Sequence, residues 1–367
     1  MKLIRQTYFY PYLMAGIGSV LLCSVPAHAY EWQKSTSVEA TSAFHTNYEL
    51  NEENTETLAA TVGLRAQVSG ASETSSIDFS GRLGTNEFTE SEIDSTTVYG
   101  LSLGARNSGE RSALSLLIDL SQAPTNETEL LDSGVIADGE TTTLLVSPTA
   151  TYNFTERTSG LLGLDYEEKS YETDLLVDST YGKAIIGLAH KLNPNHGFDI
   201  KLGYAEFEPD ESEVTEISDV TLSYDWIPGD GIEIVVGVGY TEVVEPDDSE
   251  ESGGNFGIKF NRRINEREMY GFEYANVYAA SSIGAVREED QFTANLIQDL
   301  SDRTTFTAIL QMVSTEDDVD SLQASLRYDY IYTRDITLAG GINQKQTEGD
   351  ASESSLSVFF TLLYTLN

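Results

Sequence analysis

Residues 217–244 read ISDVTLSYDWIPGDGIEIVVGVGYTEVV and hold two stretches in which apolar and polar residues alternate. In the first stretch every second residue is apolar: Val220, Leu222, Tyr224 and Trp226. In the second stretch the residues at every second position are again apolar: Ile232, Ile234, Val236, Val238 and Tyr240. Successive side chains of a β-strand point to opposite faces of a sheet, so each stretch predicts a strand with one apolar face.

The same alternation recurs along the chain and predicts eighteen strands. We expect them to begin near Val38, Glu56, Ser76, Thr97, Ala113, Thr142, Thr158, Thr180, Gly197, Ile217, Gly231, Gly254, Glu268, Asp290, Thr304, Ser321, Ile336 and Ser355. The final strand alternates down to Leu366 and resembles the C-terminal signal that barrel-assembly machinery reads, although that signal commonly ends in an aromatic residue and the last aromatic here is Tyr364. That machinery is therefore an expected partner.

The breaks between these strands are of two kinds that take turns. Short breaks often carry an acid followed by arginine, as at residues 110–111, 156–157, 266–267 and 302–303. Longer breaks are acidic, as in EPDDSEE at residues 245–251. Short turns on one side and long loops on the other are typical of transmembrane β-barrels. The sequence therefore predicts an all-β protein: a single antiparallel up-and-down transmembrane barrel over residues 37–367, with short periplasmic turns and long acidic extracellular loops.

Strand number and orientation follow from this alternation. With both termini in the periplasm the strand count must be even, and eighteen satisfies that condition. Sixteen is the alternative, because the first hairpin and the region around Thr142 alternate least clearly. Aromatic residues next to the short breaks predict an interfacial girdle on that side of the membrane. They are Tyr152, Phe154, Tyr224, Trp226, Tyr328, Tyr330 and Tyr332.

The N-terminus predicts secretion. Lys2 and Arg5 precede a short apolar run at residues 14–25, and residues 27–29 read AHA, a small-residue cleavage site. Residues 1–29 are thus expected to be a cleaved signal peptide and residues 30–36 a short periplasmic segment. The only cysteine, Cys23, lies in the leader, which leaves the mature chain without disulfides or cysteine metal ligands.

The composition is strongly acidic. Asp and Glu number 60 against 21 Lys and Arg, a net charge of −39, and loss of Lys2 and Arg5 with the leader makes it −41. Such a surface repels nucleic acids, so none is expected as a partner. Roughly 40 of the acids fall in the predicted long loops. These loops either concentrate cations or bind Ca²⁺ that bridges them to lipopolysaccharide, or they are simply solvated. Residues 247–251 lack the spacing of calcium loops, so no metal and no cofactor are predicted.

Several hairpin segments resemble one known family. They are Asn47 and Tyr48, the segment SPTATYNFTERT at residues 147–158, GLDY at 163–166 and NER at 265–267. In these the chain resembles the β-barrel porins found beside exopolysaccharide and exosortase gene clusters of Gram-negative bacteria. The resemblance implies a channel of the cell outer membrane, with a polysaccharide as candidate cargo, and brings no catalytic residues.

The alternation also predicts which charged residues face the lumen. They are Arg65, Asp78, Arg82, Arg106, Asp119, Arg157, Asp165, Lys183, Lys201, Asp219, Asp225, Glu233, Lys259, Arg263, Glu273, Arg327 and Asp329. One interpretation is a wetted pore whose opposed charges orient a polar solute. The other is a set of ion pairs that brace the barrel wall. The sequence leaves both open.

Channel function has three alternatives. A structural or adhesive barrel would have a plugged lumen, and the segment 123–140 is long enough to fold inward, with Leu130, Leu131, Val135 and Ile136 unusually apolar for a wet loop. A soluble β-sandwich or solenoid would instead pack its apolar faces into one core. An outer-membrane enzyme would need a nucleophile beside a base, and the mature chain offers His45, His190 and His196 without a nucleophile motif. We expect no enzyme.

Overall fold

The computed structural model describes residues 30–48, 56–90, 93, 95–129, 139–210, 212–247, 249–316, 320–348 and 353–366. Its strands are β1 (Glu31–His45), β2 (Thr57–Ala71), β3 (Ser75–Phe88), β4 (Thr96–Ser108), β5 (Ser112–Pro124), β6 (Glu140–Asn153), β7 (Thr158–Tyr171), β8 (Ser179–Asn193), β9 (His196–Pro209), β10 (Thr215–Gly229), β11 (Ile232–Val244), β12 (Glu250–Asn265), β13 (Glu268–Ala280), β14 (Val286–Ser301), β15 (Thr304–Thr315), β16 (Asp320–Ile331), β17 (Ile336–Glu348) and β18 (Glu353–Leu366). One helical turn, α1 (Thr125–Thr128), follows β5.

The strands form one closed antiparallel sheet. Each strand pairs with the next along the chain, and β1 also pairs with β18. This closing seam pairs Thr36 with Leu366 at one end and His45 with Ser357 at the other. The prediction of an eighteen-stranded up-and-down barrel is confirmed, and the sixteen-stranded alternative is wrong.

The two ends of the barrel differ in their connections. At one end, the turn end, the connections are two to four residues long, and β1 begins and β18 finishes there. At the other, the loop end, they span four to fifteen residues. Gly231 lies in one of the short turns with φ +74°, and a Cβ there would clash with the Arg263 carbonyl oxygen. Glycine is therefore required at this turn.

Two expectations about strand ends need correction. Most of the longer breaks are shorter than predicted, because acidic residues remain in the sheet: Glu250 pairs with Val244 and Glu251 with Val243. Backbone hydrogen bonds do not depend on the charge of the side chain, so the ladder continues until the backbone turns. Likewise β1 begins at Glu31, paired with Ala71, so that all but the first of residues 30–36 belong to the barrel. The signal peptide lies outside the described residues.

The two faces of the sheet differ as the alternation predicts. Large apolar side chains on the outward face are exposed, for example Val238 at 51% and Phe360 at 54%. Inward positions on the same walls hold buried polar residues such as Thr241 and Thr361. A soluble sandwich would bury its apolar faces in one core, so this alternative is contradicted. The one helix among the described residues is too short to span a membrane.

Candidate functional site

The structure places sixteen of the seventeen predicted lumen residues at inward positions of strands. Arg65 and Arg82, for example, are register partners on β2 and β3. Their neighbours Leu64 and Leu83 point the other way and are 53% and 57% exposed. The exception is Arg157, which lies in the turn 154–157 rather than on a strand. The alternation failed there because the backbone turns before that residue.

Part of this charged wall is cross-linked by ion pairs. In the described part of the chain, five pairs join inward side chains from the predicted set or their direct neighbours: Arg65–Glu39 at 2.5 Å, Lys183–Asp219 at 2.9 Å, Lys201–Asp199 at 3.4 Å, Lys259–Glu273 at 3.0 Å and Arg327–Asp329 at 2.8 Å. The first, second and fourth of these pairs join different strands, so the hypothesis that ion pairs brace the wall applies to them. The other two pairs each lie within one strand, β9 or β16, and link no strands.

The Lys183–Asp219 pair shows how the wall accommodates such a bridge. Lys183 is on β8 and Asp219 on β10, so the pair passes over β9. The β9 residue beneath it is Gly203, the register partner of Asp219. A Cβ at Gly203 would lie 2.7 Å from the Asp219 carboxyl carbon and closer still to one of its oxygens. The absence of a side chain at Gly203 is what makes room for this ion pair.

Other inward charges remain available to a solute. Among the described residues, Arg82, Arg106 and Arg263 have no ion-pair partner within 4.0 Å, nor do Asp78 and Asp119. The interpretation of a wetted pore stays a prediction for these residues.

One wall of the lumen contains a cavity of about 480 Å³, which we call the arginine pocket. It extends over β18 and β1 to β5, near the middle of β2 and β3. Its polar lining comprises Ser35, Ser37, Arg65, Gln67, Ser80, Arg82, Ser102, Asp119 and Thr365. The volume lies within the range of about 300–1,000 Å³ that is usual for ligand sites.

The loop end of the lumen is crossed by α1. The Asn126 amide donates a hydrogen bond to the Tyr48 carbonyl at 2.9 Å, and the Lys345 ammonium donates to the Asn126 carbonyl at 2.9 Å. Lys345 is on β17, six strands away from β5 around the sheet. Just after α1, the buried Glu129 carboxylate accepts a hydrogen bond from Tyr171 and lies 3.6 Å from the Lys169 ammonium. The segment after β5 therefore joins distant parts of the wall.

A second group of contacts joins two other connections at the loop end. The Val177 amide donates to the Ser282 carbonyl at 2.8 Å, which links the connection 172–178 to the connection 281–285. Below them, an apolar cluster packs together: Ala205, Phe207, Ile217 and Val243, which occupy inward positions, and Val286, which has the opposite parity at the start of β14. Sequence reasoning missed this cluster. The signal was available for four of the five, since Ala205, Phe207, Ile217 and Val243 occupy inward positions close to strand ends.

The loop end thus carries contacts between elements that are far apart around the sheet. Buried Arg287 and Glu289 pair there at 3.1 Å. The apolar residues proposed as a plug, Leu130, Leu131, Val135 and Ile136, lie outside the described residues. Only the start of that segment, α1 and Glu129, is available to show its course.

The histidines take part in local contacts. His190 Nδ1 is 2.9 Å from the Thr158 hydroxyl, and His196 Nδ1 is 2.6 Å from the Tyr224 hydroxyl, both at the turn end. The His45 ring packs edge-on against Tyr48 at 5.0 Å. These contacts tie the rings to neighbouring side chains and do not form a nucleophile–base–acid arrangement.

The loop-end acids show no metal geometry in the described ranges, where no three or more His, Asp and Glu residues are grouped to hold an ion. In the connection 245–249, hydrogen bonds from Ser249 lower the pKa of Asp247 below its usual value. This carboxylate is fully exposed and is satisfied by its own loop.

No family model and no curated protein matches this chain. Among solved structures it is similar to OpdL of Pseudomonas aeruginosa, with 10% identity over 92% of this chain and 99% of that one and a TM-score of 0.47. It is also similar to OccK9 (OpdG) of the same organism, with 10% identity over 92% of this chain and 99% of that one and a TM-score of 0.49. OccAB4 of Acinetobacter baumannii has 8% identity to it over 93% of this chain and 100% of that one, with a TM-score of 0.48. At such values these likenesses carry no inference, and the fold rests on the strand pairing of the chain itself.

Proposed function

We propose that the protein is a channel of the Gram-negative outer membrane for polar solutes. The observation that carries the proposal is the closed eighteen-stranded barrel with an apolar outward face and a charged inward face. Closed barrels can span lipid because every strand has a partner on both sides. Barrels of 16 to 18 strands can enclose an aqueous lumen.

The orientation is also a proposal. Exposed aromatic residues encircle the turn end, where Tyr152, Tyr224, Trp226, Tyr328 and Tyr332 are 41–58% exposed. Such belts mark the level of lipid headgroups. Outer-membrane barrels keep their short turns in the periplasm, so we place both termini there and the acidic loop end outside, facing lipopolysaccharide. Protease added to intact cells should cleave in the connection 245–249 and spare the turn 332–335.

Conductance in planar bilayers tests the channel. We expect discrete current steps from the wild type and larger steps from Lys345→Met, which removes the hydrogen bond that holds α1 across the lumen. Lys259→Met is the matched control, since it removes an inward lysine whose partner Glu273 lies on the neighbouring strand. Silence of all three proteins at every voltage would refute the channel.

The cross-lumen contacts at the loop end favour a second candidate, a structural barrel with a closed lumen. The hydrogen bond between Lys345 and Asn126 and that between Val177 and Ser282 are the observations behind it. The same recordings separate the two candidates, because a structural barrel stays silent even when α1 is released.

The narrower assignment, export of exopolysaccharide, rests on the family resemblance alone. Deletion of the gene should then lower the amount of polysaccharide at the cell surface, and complementation should restore it. An unchanged amount would remove this assignment and leave the channel itself untouched. An outer-membrane enzyme has no support in the contacts of the described residues.

A further inference from the structure

The arginine pocket contains an unfavourable arrangement of charge. Arg65 and Arg82 are register partners on adjacent strands and point to the same face. Like charges placed directly opposite each other destabilise a sheet. Glu39 neutralises Arg65 at 2.5 Å, whereas the Arg82 side chain has no ion pair or hydrogen bond among the described residues. A bound anion would relieve this repulsion.

Glycines keep the space around Arg82 open. Gly63 and Gly84 are register partners two positions along from the two arginines and on the same inward parity. Gly100 is the register partner of Arg82 on β4, and a Cβ at Gly100 would meet no atom within 4 Å. These three inward positions around Arg82 therefore place no side chain over the guanidinium.

The remaining lining consists of hydroxyl groups and one carboxylate. Ser35, Ser37, Ser80, Ser102 and Thr365 line the cavity, and Asp119 lines it two strands beyond Arg82. Asp119 likewise has no side-chain partner in the described ranges. Hydroxyls both donate and accept, while an ionised carboxylate only accepts. The cavity therefore complements a molecule with a negative end and a body rich in hydroxyls.

We propose that the arginine pocket binds sugar acids. The solute carboxylate would be held by Arg82 and the free donors of Arg65, because a guanidinium fits a carboxylate with two parallel hydrogen bonds. The sugar hydroxyls would bond to the serines and to Asp119. The inference deepens the proposed channel by naming its solute class, and rests on that channel only for the biological use of the site.

Binding to the purified full chain in detergent micelles tests the proposal without need of conduction. Glucuronate is the probe and glucose the neutral comparison, measured by saturation-transfer NMR and by calorimetry. We expect glucuronate to bind at least tenfold more tightly than glucose. Arg82→Gln should lower the affinity for glucuronate by about tenfold or more, since a charged hydrogen-bonding partner is lost. The matched control is Arg263→Gln, an inward arginine on β12 outside the pocket, which should leave the affinity unchanged.

A second variant tests the proposed contact between Asp119 and the hydroxyl groups of the sugar. Asp119→Asn should weaken the binding of glucuronate. It should not weaken the binding of acetate, because acetate has no hydroxyl groups. Removing the Arg82 charge relieves repulsion, so Arg82→Gln should fold at least as well as the wild type, and urea titration verifies this. The proposal that the pocket binds sugar acids would be overturned if glucose and glucuronate bound equally. It would also be overturned if Arg82→Gln bound glucuronate as tightly as the wild type does. A protein that binds glucuronate without conducting overturns the channel instead.

Discussion

Gly203→Ala should destabilise the barrel by breaking an ion pair to which Gly203 itself does not belong. An alanine Cβ would lie 2.7 Å from the carboxyl carbon of Asp219 and 2.8 Å from one carboxyl oxygen. Because all the carboxyl atoms are too close, the whole group must rotate away from β9. That rotation separates Asp219 from Lys183, now 2.9 Å apart.

The magnitude follows from the burial of the two partners. The side chain of Asp219 is 16% exposed and that of Lys183 is 27% exposed, so water screens the pair only partly. Exposed pairs contribute about 0–1 kcal/mol, and loss of one partner of a fully buried pair costs about 3–5 kcal/mol. We expect a loss of about 2 kcal/mol. Replacing a strand glycine by alanine recovers about 0.5 kcal/mol of backbone entropy.

Urea titration in detergent micelles, followed by the fluorescence of Trp32 and Trp226, measures the free energy of unfolding. Gly100→Ala is the matched control, because a Cβ there meets open space. It should match the wild type or exceed it by about 0.5 kcal/mol. In a Lys183→Met background the cost of Gly203→Ala should shrink by more than half, as for other coupled residues. Equal stability of Gly203→Ala and Gly100→Ala would refute the reasoning.

Three further outcomes are expected. Gly231→Ala should lower the free energy of unfolding by about 1–3 kcal/mol, because it places a side chain at φ +74° against the Arg263 carbonyl, whereas Gly229→Ala, with open space, should not. Leu222→Arg, on the outward face in the middle of β10, should cost about 2–4 kcal/mol in lipid vesicles, and Thr221→Arg, on the inward face, much less; equal costs would contradict membrane insertion. If the acidic loop end attracts cations, reversal potentials should show cation selectivity in 0.01 M salt that falls in 1 M salt, as the Debye length drops from about 30 to about 3 Å.

The sequence predicted the strands well because alternation is a local property. Seventeen strands begin within four residues of the expected positions, and Val220, Leu222, Tyr224 and Trp226 face outward as expected. Strand ends were predicted less well. Glu250 and Glu251 look like loop residues, yet their backbones pair with β11, since pairing extends until the backbone turns.

The candidate site could be predicted only by face. Parity placed Arg82 and Asp119 inward, but could not show that they line the same cavity, because that depends on the registers of β3, β4 and β5. The bridge over Gly203 needs the registers of three strands at once. The contact of Asn126 with Lys345 joins residues 219 apart in sequence, and no local pattern signals it.

The seam between β1 and β18 makes folding depend on the whole chain. Until Thr36–His45 pairs with Ser357–Leu366, the sheet has two free edges, and free edges invite association with other chains. Only β18 covers the free edge of β1, so closure must wait for β18 and joins residues more than 300 positions apart. The cell must therefore shield the open sheet until β18 arrives. The same adjacency of the two ends would allow the chain to be reconnected at the turn end and opened at another turn while the closed sheet is kept.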